Sequence, residues 1–194
     1  MGILKITRNA RLPRRPRKGT NLMSVDAIKD LREQTSCGIM ECKRALSEAG
    51  GDMGKAKEIL RQRGLELALK KSDRVAKEGR VEAYIHNGSK IGVIVEVNCE
   101  TDFVGKNDDF IRFSKDLAMH IAAMAPKYIK KDDVPADVLK AQEDQDAFIK
   151  ASCLLAQPFV KDASKSVQDL LNELVAKIGE NILVSRFVRF KIGE

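Results

Sequence analysis

Apolar residues recur along the chain with two periods, and the change from one to the other divides it. Behind Ser24, a residue suited to cap a helix, Val25, Ile28 and Leu31 follow at helical spacing. Gly38 interrupts, and Ile39, Cys42, Ala45, Leu46 and Ala49 form a second stripe closed by Gly50-Gly51. Asp52 opens a third, with Met53, Ala56, Ile59 and Leu60 inward and an expected stop near Gly64. Residues 23–64 are thus predicted to form a three-helix bundle, small enough to bury little surface and suited to docking on something larger. Residues 65–80, with Lys70, Lys71, Lys77 and Arg80, read as a solvated helical linker.

From Val81 the period falls to two. Val81, Ala83 and Ile85 alternate, Asn87-Gly88 signals a type I′ turn, and Ile91, Val93, Val95 and Val97 alternate back. That strand runs into Thr101-Asp102-Phe103-Val104, after which Asn107, Asp108 and Asp109 are placed to cap a helix. Phe110, Phe113, Leu117, Ile121 and Met124 give its stripe, ending before Pro126. Pro135 opens a further helix expected to reach about Leu155. Pro158-Phe159-Val160 crosses over, and Ser164 or Ser166 starts a helix with Val167, Leu170, Leu171, Leu174, Val175 and Ile178, ended by Gly179. Val188, Phe190 and Ile192 alternate with Arg189 and Lys191 as a last, half-exposed strand. Residues 81–194 are therefore expected to be an α+β core, an antiparallel sheet packed with helices on one face.

Charge changes the picture less than the pI of about 9.2 suggests. The 35 basic and 28 acidic residues leave +7, and Lys5, Arg8, Arg11, Arg14, Arg15, Arg17 and Lys18 supply all seven before Met23 without an acid among them. The remainder is balanced, which argues against a general phosphate-binding face and against direct nucleic-acid binding by the body. The leader, residues 1–22, has three readings: a segment upstream of a true start at Met23, an organellar transit segment, or a disordered basic arm for RNA. Its apolar positions are too few for a secretory signal, and no later segment has the ~20 apolar residues of a membrane span. Cys37, Cys42, Cys99 and Cys153 lack metal-site spacing and read as free thiols of a reducing compartment. The expected location is cytoplasmic, or an organellar matrix if the leader is a transit segment.

No enzyme constellation is present: no phosphate-binding Gly-Lys loop, no G-x-S-x-G, no H-E-x-x-H. No cofactor, metal or catalytic residue is expected. His86, beside the hairpin turn, reads as solvated, and His120, off its helix stripe, as a surface or packing residue. Two features remain. Phe103 sits in a strand-to-helix connection, where it is either a core plug or a probe aimed at a partner. Ile39 and Met40 are adjacent on a helix, about 100° apart, so one of them is expected to face outward.

Asn98-Cys99-Glu100-Thr101-Asp102-Phe103-Val104 resembles the signature of the elongation factor Ts family. So do Leu31 to Thr35 with Gly38 to Leu46, Met119 to Ala123 on through Lys130 and Asp133, and Gln157 to Val160, all in the family's order. The resemblance implies a ubiquitin-associated-like fold for the bundle and a guanine-nucleotide exchange factor whose partner is the GTPase elongation factor Tu. It assigns Thr101, Asp102, Phe103 and Val104 to displacing Mg²⁺ from that GTPase, and Leu31, Ile39, Met40, Ile178 and Gly179 to contacts with its nucleotide-binding domain. The chain departs from long family members in carrying one copy of the core module, as the short members do, which implies a homodimer. The interface is expected at the C-terminal helix and the Val188–Ile192 strand. The reading from another class is an RNA- or ribosome-associated protein using the basic leader.

Overall fold

The computed structural model describes residues 24–35 and 37–194; the basic leader lies outside the described residues. Helices α1 (Val25–Thr35), α2 (Ile39–Glu48) and α3 (Met53–Lys71) open the fold. The starts of α1 and α3 are set by side chains: Ser24 Oγ accepts from the Ala27 N–H at 3.0 Å and Asp52 Oδ1 from the Lys55 N–H at 3.0 Å, whereas α2 begins after Gly38 without a side-chain cap. Leu31, Cys42, Ala45, Leu46, Ala56 and Leu60 form the bundle's core.

The third helix does not stop at Gly64. It runs on to Lys71, because Gly64 holds ordinary helical geometry and serves close packing instead. A Cβ there would lie 3.5 Å from the Ala176 Cβ. The first half of α3 faces the bundle through Ala56 and Leu60, and its second half reaches the main core through Ala68. The segment predicted as a linker is therefore helical to Lys71, and its end already belongs to the first strand.

Strands β1 (Glu78–Ile85), β2 (Ile91–Cys99) and β5 (Ile182–Lys191) form an antiparallel sheet in the order β1-β2-β5. The fold is α+β, as the periodicities predicted. The hairpin turn is not of type I′: positive φ falls at Gly88 and Ser89, not at Asn87. Val93, Val95, Val97 and Cys99 of β2 are buried, covered by α5 (Asp108–Met124) and α8 (Val167–Ile178). Pairing of β2 with β5 slips between Glu96 and Val97, leaving Ser185 as the extra residue of a bulge. Before it Ile182 and Val184 point inward; after it Phe187 and Arg189 do, so Val188 and Phe190 stand on the open face.

Between the helices the predicted single helix from Pro135 is broken into α6 (Ala136–Lys140) and α7 (Gln145–Ser152), restarted by Asp144, whose side chain accepts from the Ala147 N–H at 2.9 Å. A small hairpin, β3 (Pro158–Phe159) with β4 (Asp162–Ser166), had no clear signal in the alternation. Ser166 is the cap of α8, in a reciprocal box with Asp169. His120 is fully buried rather than at the surface. Its Nδ1 accepts from the Val160 N–H at 3.2 Å and its Nε2 faces Gln157 Oε1 at 3.0 Å, so the Gln157–Val160 crossover is tied to α5. Burial lowers its pKa, against a smaller opposing effect of Gln157, which suits the neutral tautomer this geometry requires.

Substitution at Gly64 tests the crossing of α3 and α8. Gly64→Ala places its methyl in ordinary contact and is expected to stabilise the fold by up to ~1 kcal/mol through helix propensity. Gly64→Leu is expected to cost about 1–3 kcal/mol by overpacking. Urea unfolding of the three proteins measures both.

Candidate functional site

The sheet hands the chain to the helices at one corner. Strand β2 ends at Cys99, whose Sγ donates to the Thr101 carbonyl at 3.1 Å. Burial, then the nearby Glu180 charge, push that thiol up to about 11, which makes it a structural group and not a reactive one. A single turn, α4 (Asp102–Gly105), follows before Asn107 caps α5 by accepting from the Asp109 N–H at 2.8 Å. This turn has no signal in the periodicity of the sequence. It sits close on the sheet because Gly105 lies against Gly79: a Cβ at Gly105 would come 3.0 Å from the Gly79 carbonyl oxygen. Gly79 in turn has φ +141 and would meet the Val97 carbonyl with any side chain.

Within the turn each residue has a separate fate. Val104 is half-buried and packs on the main core. Asp102 is exposed and paired with Lys106 at 2.7 Å, and the hydrogen bond from that ammonium lowers its carboxyl pKa. Thr101 is exposed and hydrogen-bonded to Glu180. Phe103 is 79% exposed. The core-plug reading of this aromatic is thereby removed, and Phe110, five residues on from Gly105, fills that place with no exposure at all.

Gly179 and its neighbours meet the same corner. Gly179, with φ +86, caps α8 and turns the chain into β5. The Lys71 ammonium at the end of α3 donates to its carbonyl. Glu180 Oε2 accepts from the N–H groups of Glu100 at 3.1 Å and Thr101 at 3.0 Å, and Oε1 from the Thr101 hydroxyl at 2.7 Å. The Asn181 N–H donates to Glu100 Oε1 at 2.6 Å, which lowers the Glu100 pKa, with Arg74 adding to the effect. The buried Asn181 amide donates to the carbonyls of Ser72 at 3.3 Å and Arg74 at 2.7 Å. Thus the segments around Thr101–Val104 and Ile178-Gly179, far apart in sequence, form one hydrogen-bonded unit with the α3–β1 connection. Ile178 itself is half-buried against the core. Glu100, Glu180 and Asn181 escaped the sequence reading; the available signal was an acid and an amide directly after a helix-ending glycine.

The other assigned residues lie on the bundle. Ile39 and Met40 both face outward, 53% and 60% exposed, where only one was expected to. Leu31 is 0% exposed, a bundle core residue, so its side chain offers no contact surface; the helical period that marked it also required it to be inside. Among the described residues no group of three or more His, Cys, Asp or Glu comes together to hold a metal, and no helix is long and apolar enough to cross a membrane.

With this geometry in view, comparison with known proteins is decisive. A family model described as Elongation factor TS matches residues 53–147 and 144–194. The chain is 49% identical to elongation factor Ts of Carboxydothermus hydrogenoformans, covering 89% of this chain and 90% of that one. It is 52% identical to elongation factor Ts of Acetivibrio thermocellus, with 89% and 91% covered. The chain belongs to the elongation factor Ts family. Both alignments extend over 196 residues, more than the 194 of the whole chain, so these relatives carry residues within the matched span that this chain lacks. The two matched segments meet at 144–147, the start of α7, where the predicted long helix is broken.

Stability measurements separate the two aromatics of this corner. Phe103→Ala is expected to change the unfolding free energy by less than ~0.5 kcal/mol, as for a surface residue. Phe110→Ala is expected to lower it by about 3–5 kcal/mol. Denaturant titration of both variants reads the contrast.

Proposed function

We propose that this chain is a guanine-nucleotide exchange factor that binds elongation factor Tu, displaces Mg²⁺ and promotes GDP release during polypeptide elongation. Membership of the elongation factor Ts family supports the partner. The single observation that carries the mechanism is an aromatic ring held out in solvent on a turn whose neighbours are all tied down. An exchange factor needs no catalytic group. It needs higher affinity for the GTPase without nucleotide than for the GTPase with it, since only a differential affinity shifts the equilibrium. Phe103 inserts into an apolar slot beside the metal site of the partner, and the backbone holding the metal and its waters gives way. Burying one Phe contributes roughly 1.5–3 kcal/mol, equivalent to a ~10- to 100-fold weakening of nucleotide affinity.

The other residues divide the work. Val104 anchors the turn from below, and Asp102, already paired with Lys106, meets the partner at the rim. Ile39 and Met40 form a second, apolar contact on the bundle, Met being tolerant of imperfect fit. Ile178-Gly179 approaches the partner beside Phe103, and Leu31 acts indirectly, by holding α1 on α2.

A second copy of the chain is the proposed partner for the open face of the sheet. The apolar side of α8 is turned into the core, which narrows the expected interface to the strands. Ile94 pairs across to Ala83 and Val188, and Gly92 to Ile85 and Phe190, giving a contiguous apolar patch with Val81 at its margin. Sheet-on-sheet packing about a two-fold axis would cover it.

Two measurements test these readings. Release of fluorescent GDP from elongation factor Tu should be accelerated by the wild-type protein, and at least ~10-fold less by Phe103→Ala. Acceleration unchanged by that substitution would return Phe103 to a passive rim. In sedimentation at micromolar concentration the wild type should run as a dimer and Phe190→Asp as a monomer; a monomeric wild type rejects the sheet interface.

A further inference from the structure

We infer that Glu180 is a positioning residue for nucleotide exchange: its carboxylate fixes the turn that presents Phe103, and it acts only through that turn. The inference rests on the exchange reading above. Sheet pairing of β2 ends at Cys99, which is opposite Glu78 on one side and Ile182 on the other. The next two backbone N–H groups, of Glu100 and Thr101, have no strand to bond to. Glu180 Oε2 accepts both, at 3.1 and 3.0 Å, and Oε1 takes the Thr101 hydroxyl at 2.7 Å. One carboxylate thus replaces a strand partner for the two residues that lead into Asp102 and Phe103. Bonds to an ionised acceptor are about twice as strong as neutral ones, so this is a firm hold for an exposed turn.

Glu180 is itself well placed to be rigid. Gly179 before it caps α8 and receives the Lys71 ammonium on its carbonyl; Asn181 after it is tied to Glu100, Ser72 and Arg74. The remaining restraints on the turn, the Cys99 thiol on the Thr101 carbonyl, Val104 on the core, the Asp102–Lys106 pair and the Gly105–Gly79 contact, lie on its inner side, within it and at its far end. Without the carboxylate the turn keeps its seat but loses the bonds on the strand side. The fraction of molecules presenting Phe103 correctly then falls, and apparent affinity for the partner falls by the same factor.

This gives Glu180 a kinetic signature different from that of Phe103. In GDP release from elongation factor Tu, Glu180→Ala should raise the factor concentration needed for half-maximal acceleration ~10-fold while leaving the maximal rate near wild type. Phe103→Ala should lower the maximal rate. Glu180→Gln should stay within about threefold of wild type: its Oε1 can accept both N–H groups and its amide can donate to a rotated Thr101 hydroxyl. In the double variant Glu180→Ala should add nothing to Phe103→Ala. Urea unfolding, measured alongside, should show every variant fully folded under the assay conditions, with the midpoint of Glu180→Ala lowered by the loss of its three bonds and that of Glu180→Gln close to wild type. A Glu180→Ala protein with wild-type concentration dependence, an equal loss in the Gln variant, or multiplying losses in the double variant would each overturn the inference while leaving the exchange reading intact. Failure of the wild type to accelerate release would overturn the exchange reading itself.

Discussion

Helix α3 crosses α8 with Gly64 set against Ala176, and no larger side chain separates the two. This crossing is the principal contact between the bundle and the main core. On one side of it Arg61 reaches Asp169 at 3.6 Å; on the other Lys71 reaches the Gly179 carbonyl. Because α3 is one uninterrupted helix, its first half completes the bundle core and its second half completes the main core. The outward pair Ile39 and Met40 and the outward Phe103 are therefore carried on a common frame, and a partner that engages one meets the other at a fixed offset. Small bundles are marginal alone; here the third helix shares its length with a larger core.

The polar half of the architecture solves a different problem. Strand and helix ends leave backbone groups without regular partners, and three ends converge at one corner: those of β2, α3 and α8. Glu100, Glu180 and Asn181 satisfy them from side chains, each reaching across to a different segment. Such an arrangement is economical, since the groups that seal the chain ends also fix the turn between β2 and α5. It also explains why Thr101 is bonded inward while exposed: its hydroxyl belongs to the seal.

The sequence made the periodic parts legible and the compensating parts obscure. The Val93-Val95-Val97 alternation, the caps at Ser24, Asp52 and Asn107, and the glycine ending α8 all act locally, so local reading found them. Gly64 reads as a helix stop because a helix-interior glycine and a helix-ending one look alike until the facing residue is known. Outward Val188 and Phe190 depend on the bulge at Ser185, which shifts every later side chain of β5 to the opposite face. Leu31 and Phe103 illustrate the limit most sharply. Both lie in segments resembling the family, yet one is sealed in the bundle and the other stands in water. Only the packing around each decides that, and Glu180, 79 residues from Thr101, could be connected to it only by the fold.

The way Phe103 is mounted has a practical corollary. The ring projects from a one-turn helix whose position is set by backbone contact at Gly105 and Gly79, by Val104 beneath and by the Glu180 carboxylate at its entry, not by the ring itself. Its chemical identity is thus uncoupled from folding, and the position is open to replacement by bulkier aromatics without repacking. The chain contains no tryptophan. An indole installed at this tip would be the molecule's sole such fluorophore, and its emission would report any passage of that one side chain from water into an apolar environment.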